Sequence, residues 1–179
     1  TNTSALLDRN IGFHAFFKVK SDYVRHAIDK EVWHKIFSWL SMNGSGFLML
    51  EPHGGFIGTI PTGATPYPHR SGVLYIIQYI TSWPTGNEGS TARNWVRNLY
   101  NFMGQYVTKS PREAYINFRD LDIGENKVVN DVSVFGSSKV WGKKYFGGNF
   151  KRLAKVKGMV DPTDYFRNEQ SIPPLLQGY

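Results

Sequence analysis

The sequence predicts an α+β fold, an antiparallel sheet with helices on one face, and three observations carry that expectation. Strand-like and helix-like stretches are mixed without the strict β-α-β alternation of a parallel sheet. "VLYIIQYITSW" (73–83) is apolar on both faces, as a central strand covered from both sides must be. Apolar stripes at helical spacing recur between the strand-like runs. The chain has 179 residues, of which 41% are hydrophobic and 15% aromatic, enough for a packed core and unlike a disordered tail.

Taken in order, "FHAFFKVK" (13–20) reads as a strand rich in aromatic and branched side chains. Asp29 then caps a helix whose stripe is Val32, Trp33, Ile36, Phe37 and Leu40, and Asn43-Gly44 ends it. "GFLMLE" (46–51) and "FIGTI" (56–60) flank Pro52-His53-Gly54-Gly55, which predicts a hairpin. "PTGATPYPHRSG" (61–72) is a proline-broken loop leading into the central strand. From Thr91 a second helix turns Trp95, Val96, Leu99, Met103 and Tyr106 inward. "AYINFRD" (114–120) is expected to be a strand ending in a charged turn, with Phe118 among Asn117, Arg119, Asp120 and Asp122. Short helices over 137–146 and 149–157 and an irregular tail, "DPTDYFRNEQSIPPL", complete the chain.

The formal net charge of +7 suits a polyanion partner or simple solubility. Lysines of 139–157 alternate with Trp141, Tyr145, Phe146 and Phe150. Lysines and aromatics separate by helical spacing, so the stretch reads as two amphipathic helices and no nucleic-acid partner is expected. No apolar run reaches the ~18 residues of a membrane span, and "TNTSALLDRN" lacks the basic start and apolar run of a signal peptide, so the chain reads as a fragment or a processed piece. With no cysteine it holds no disulfide or thiolate site, and its five histidines show no metal-ligand spacing. Asn2 and Asn43 open Asn-x-Ser/Thr triplets, Asn43 in a turn suited to glycosylation. Gly54, Gly55 and Gly58 precede a strand-like run, whereas a phosphate cradle needs a helix N-terminus. Gln78 is the one amide in an otherwise apolar strand and needs a partner, either a structural one or a ligand. Glu51 shares a face with Phe47 and Met49 by strand alternation, as a solvated strand end or as a pocket wall.

"PYPHRSGVLYIIQY", "AYINFRDLDIG", "WGKKYFGGNFKRLAKVK" and above all "FRNEQSIPPL" resemble the C-terminal part of the berberine bridge enzyme-like flavoproteins, over essentially the whole chain. "VVNDVS" and the tail are similar to the group 4 grass pollen allergens, basic secreted glycoproteins of that family. The resemblance implies a substrate-binding α+β domain over 1–135, lacking its FAD domain, and a segment over 136–179 that packs back on that absent domain. It implies FAD held covalently by the missing part, hydride transfer from a small alcohol or carbohydrate, an extracellular place in pollen or cell wall, IgE as an allergen's partner, and a monomer at full length. By position in the family, Glu51 lines the substrate pocket, Gln78 orients substrate, and Tyr115 and Asn117 contact the flavin. Phe118 stands where relatives carry a tyrosine base and Ile76 where they often carry an ionisable group. Both are inert here. The enzyme therefore draws its base from Glu51 or from the missing domain, or the chain is a non-catalytic glycoprotein that keeps the fold and binds carbohydrate.

Overall fold

A computed structural model describes residues 7, 9, 14–43, 46–84, 86 and 89–176, with residues 42 and 43 described for backbone alone. Three strands, β1 (Phe16–Val24), β2 (Gly46–Pro52) and β3 (Tyr75–Trp83), form an antiparallel sheet in the order β1-β3-β2. The strand with two apolar faces is the central one, as its pattern requires. Register pairs Tyr23, Ile76 and Glu51 across the sheet, and likewise Ser21, Gln78 and Met49.

Helices α1 (Lys30–Asn43) and α2 (Gly89–Met103) cover one face. Val24, Ile77 and Tyr79 from the sheet meet Ile36 of α1 and Trp95, Val96, Leu99 and Met103 of α2 in the main core. Gly46 permits this contact, because a Cβ there would strike the Ile80 carbonyl and the Trp95 ring. Phe37, expected in the α1 stripe, is exposed and stacks only on Trp33 among the described rings; Tyr106 lies just beyond α2 but still packs on the core. The core also holds charge. Both Arg112 Nε and Nη2 donate to the fully buried Asp22 carboxylate, at 2.6 and 2.5 Å, and the Tyr79 hydroxyl adds a third bond at 2.9 Å.

Helices α3 (Phe135–Phe146) and α4 (Phe150–Val160) build a second core from Trp141, Tyr145, Phe146 and Phe150, with Ile116 and Ile172 against it. Lys139, Lys143, Lys151 and Lys155 stay exposed, so lysines and aromatics do segregate. A two-stranded ribbon, β4 (Val128–Val129) and β5 (Val132–Ser133), precedes α3. In the tail Tyr165 and Phe166 are exposed, whereas Ile172 packs on the α3–α4 core and the Leu175 amide bonds the Ala154 carbonyl.

Three sequence expectations are corrected. Residues 56–60 do not return as a hairpin strand: Gly55–Thr59 is a short 3-10 helix, and β2 takes β3 as its partner. Residues 114–120 form no strand, because their amides are spent elsewhere: Ala114 on the Lys144 carbonyl, Tyr115 on Ser21 Oγ, Phe118 on the Tyr115 carbonyl and Asp120 on the Tyr145 hydroxyl. The stretch is a turn pinned between β1 and α3. The first strand is also displaced from 13–20, running from Phe16 to Val24.

Candidate active site

The helix-free face of the sheet carries the residues of interest. Alternation places Ser21, Tyr23, Glu51, Ile76 and Gln78 there, along with Phe17, Phe47 and Met49. The last three are exposed. At the other end of this face the turn 114–118 folds over the strands, and Tyr115 and Phe118 pack with Tyr23, Val73, Ile76 and Tyr67. Between this turn, the 53–70 loop and α3 lies a cavity of about 460 Å³, within the range typical of small-molecule sites. Glu51, Ile76, Tyr115 and Asn117 line it.

Gln78 is buried and its amide donates to Glu51 Oε1 across the β3–β2 pair, so each side chain supplies the other's partner. Asn117 Nδ2 donates to the Tyr115 hydroxyl at 2.7 Å, which joins these two residues although no strand alternation does so. Phe118 lies edge-on to Tyr115, with ring centroids 5.3 Å apart, and packs in the same apolar cluster as Ile76. The two inert positions therefore share one apolar cluster, Ile76 on the cavity wall and Phe118 outside its lining. Asn2 lies outside the described residues; Asn43 closes α1, and its triplet continues into residues that are not described.

Among the cavity residues that sequence reasoning missed are Tyr23, His53, Tyr67 and Arg70. His53 Nε2 lies 2.6 Å from the Tyr67 hydroxyl, which is in turn 3.1 Å from the Tyr23 hydroxyl. The His53 amide bonds the Leu74 carbonyl, which fixes the backbone that carries the imidazole. Burial, with His69 nearby, lowers the His53 pKa below its ordinary value; Glu51 opposes the shift. Burial raises the Tyr67 hydroxyl above its ordinary value. Arg70 is buried, holds the Tyr67 carbonyl and Thr65, and sets its guanidinium 4.9 Å from the Tyr67 ring centroid. A histidine and a tyrosine fourteen positions apart in a proline-broken loop give no periodic signal; screening histidines for metal spacing alone passed over this one.

A profile of the family described as "Berberine and berberine like" matches residues 114–173. "Berberine bridge enzyme-like Cyn d 4" of Cynodon dactylon is 54% identical over 171 residues, 96% of this chain and 33% of its own length. Among solved structures, the Bermuda grass isoallergen BG60, a pollen group 4 allergen, superposes with a TM-score of 0.94 at 53% identity, covering 98% of this chain and 36% of that one. Phl p 4, described as a grass pollen allergen with glucose dehydrogenase activity, gives 0.93 at 52%, covering 96% and 35%. The chain thus spans about a third of the length of the relatives it matches.

Proposed function

Because this chain belongs to the berberine bridge enzyme-like family, we propose that it forms the substrate side of a secreted, FAD-dependent oxidoreductase acting on a small alcohol or carbohydrate. The observation that carries the reading is the cavity in which carboxylate, phenol, amide and imidazole groups converge beside an exposed apolar sheet face. Relatives with oxidoreductase names, and Phl p 4 with its glucose dehydrogenase description, support the same class of chemistry.

The residues present fit a flavin ring. Phe17, Phe47 and Met49 offer exposed apolar side chains on the helix-free face, and Tyr115 with Asn117 offers a hydroxyl and an amide toward its other end. Gly54 and Gly55 open only a five-residue 3-10 helix and make no cradle for the diphosphate, which falls to the remainder of the protein in this reading. When bound, a flavin accepts two electrons as hydride. This chain's part is to bind and orient. Glu51 and Gln78, locked to each other, present one carboxylate edge to a substrate hydroxyl. Ile76 lines the cavity, Phe118 packs against the same apolar cluster, and neither supplies a proton acceptor. Asn2 and Asn43 are the proposed glycan acceptors, and the full-length protein is taken as a monomer and an IgE target.

The test is to express the full-length protein, record its flavin absorbance and add glucose or simple alcohols without oxygen. Bleaching of the flavin band is expected. Binding of sugar without any bleaching favours the non-catalytic, carbohydrate-binding alternative, to which the pairing of two inert residues at 76 and 118 lends its weight.

A further inference from the structure

We propose that Tyr67 and His53 are the proton-accepting pair of this site, Tyr67 receiving the proton of a substrate hydroxyl and His53 taking Tyr67's own proton in the same step. The proposal rests on the oxidoreductase reading above and adds the missing base, which neither Phe118 nor Ile76 can be.

The roles follow from the tautomer the pair requires. A phenol can pass its proton only to a bare ring nitrogen, so the working form is the neutral ring with its proton on Nδ1. With that nitrogen protonated and the ring neutral, Nε2 carries a lone pair toward the Tyr67 hydroxyl at 2.6 Å, so Tyr67 donates and His53 accepts. The Tyr23 hydroxyl, on a fully buried side chain, approaches Tyr67 at 3.1 Å. One acceptor direction of the Tyr67 oxygen is left for a ligand in the cavity that both residues line.

In the step, the substrate O–H bond breaks and its proton joins the Tyr67 oxygen. The Tyr67 proton passes to Nε2, and the substrate C–H electron pair leaves as hydride to the bound flavin. Alcohol becomes carbonyl, flavin is reduced by two electrons, and His53 ends as imidazolium. The groups facing the pair set its readiness. Glu51 favours the imidazolium, His69 and Arg70 disfavour it, and burial keeps the ring neutral before the step. Arg70 favours charge on the Tyr67 oxygen, whereas Tyr115 and Glu113 disfavour it.

The test uses the full-length flavoprotein and stopped-flow flavin reduction across pH, with glucose as probe. In the parent, the rate should rise with pH and level off above a midpoint below 6.5, the ordinary imidazole value. His53→Gln keeps an acceptor for the Tyr67 hydrogen bond but takes no proton. It should slow reduction by at least tenfold, in line with the roughly 10²–10⁴-fold worth of general-base assistance, and remove that midpoint while KM changes little. An unmoved midpoint in His53→Gln overturns the proposal. A second readout is independent of turnover: nitrogen NMR of the histidines should show a neutral His53 with bare Nε2, whose midpoint rises in Tyr67→Phe because the bond favouring the neutral ring is gone. A proton on Nε2 of the neutral ring, or no rise, overturns the pair. Failure of the oxidoreductase reading looks different: a flavin-loaded parent that no alcohol or sugar bleaches.

Discussion

Gln78 and Glu51 are bound to each other across β3 and β2, the buried amide donating to a carboxylate whose residue is solvent-exposed. The asymmetry in exposure predicts an asymmetry in mutational cost. Gln78→Leu frees a carboxylate that water can solvate, losing one net hydrogen bond, about 0.5–1.5 kcal/mol. Glu51→Leu strands a buried amide and should cost more, about 1–3 kcal/mol. Urea denaturation of the two variants in the full-length protein checks the order. Equal losses would mean that water reaches the amide.

A second expectation concerns acid. Burial works to raise the Glu113 pKa, but hydrogen bonds from His69 and Arg25 outweigh it and hold the carboxyl at about 2, against an ordinary 4.5. The bonds are 2.9 and 3.0 Å to Arg25 and 3.3 Å to His69 Nδ1. A folded value below the unfolded one gives stability that is fully present above pH 4.5 and is lost as pH falls toward 2. Glu113→Gln should flatten the acid limb of a melting-temperature profile over that window and lower the plateau at neutral pH. An unchanged acid limb would show that other carboxylates, such as Asp122 beside Arg97, account for it.

The contact between α3 and α4 admits no side chain at position 142. A Cβ on Gly142 would overlap the Phe150 ring, which is itself buried against Trp141 and Phe146. Gly142→Ala gains helix propensity but forces the ring to move, and overpacking of this kind costs typically 1–3 kcal/mol. A lowered melting temperature is the expected result, and an unchanged one would mean that the Phe150 ring has room to shift.

What the sequence disclosed follows from where its signals are periodic. Val73–Trp83 reads as a central strand because both faces are apolar, and Trp95, Val96, Leu99 and Met103 fall on one helical face. Strand alternation likewise put Glu51 on a face with Phe47 and Met49, and the register of β2 on β3 brings that face to Ile76 and Gln78. Residues 114–120 have strand-like composition, yet their amides answer to Ser21, Lys144 and Tyr145, distant residues that no local pattern reveals. The 56–60 run failed as a strand although one edge of β2 is open, because the chain enters it through Gly54 and Gly55 at positive φ and winds into a 3-10 helix. The His53–Tyr67 contact belongs to the same class: two aperiodic loop residues brought together by the Leu74 carbonyl and the packing of Tyr23.

The last prediction tests the charge inside the main core. Asp22 is fully buried, and burial pushes its carboxyl upward while the bonds from Arg112 and Tyr79 pull it back down. Arg112 also donates to the Tyr100 carbonyl at 2.7 Å and lies over the Tyr100 ring, 3.3 Å from its centroid. Removing one partner of such a pair leaves an uncompensated buried charge, which costs about 3–5 kcal/mol. Arg112→Met should therefore melt far below the parent. Asp22→Leu should do the same, by stranding the guanidinium and the Tyr79 hydroxyl together. The triple variant Asp22→Leu, Arg112→Met, Tyr79→Phe removes all three polar groups at once and should recover most of the loss, because an apolar replacement of a buried pair is often neutral or stabilising. Calorimetric melting of the four proteins decides it. If the triple variant is no more stable than Arg112→Met, the bond to the Tyr100 carbonyl, and not the ion pair, is what holds β1 against α2.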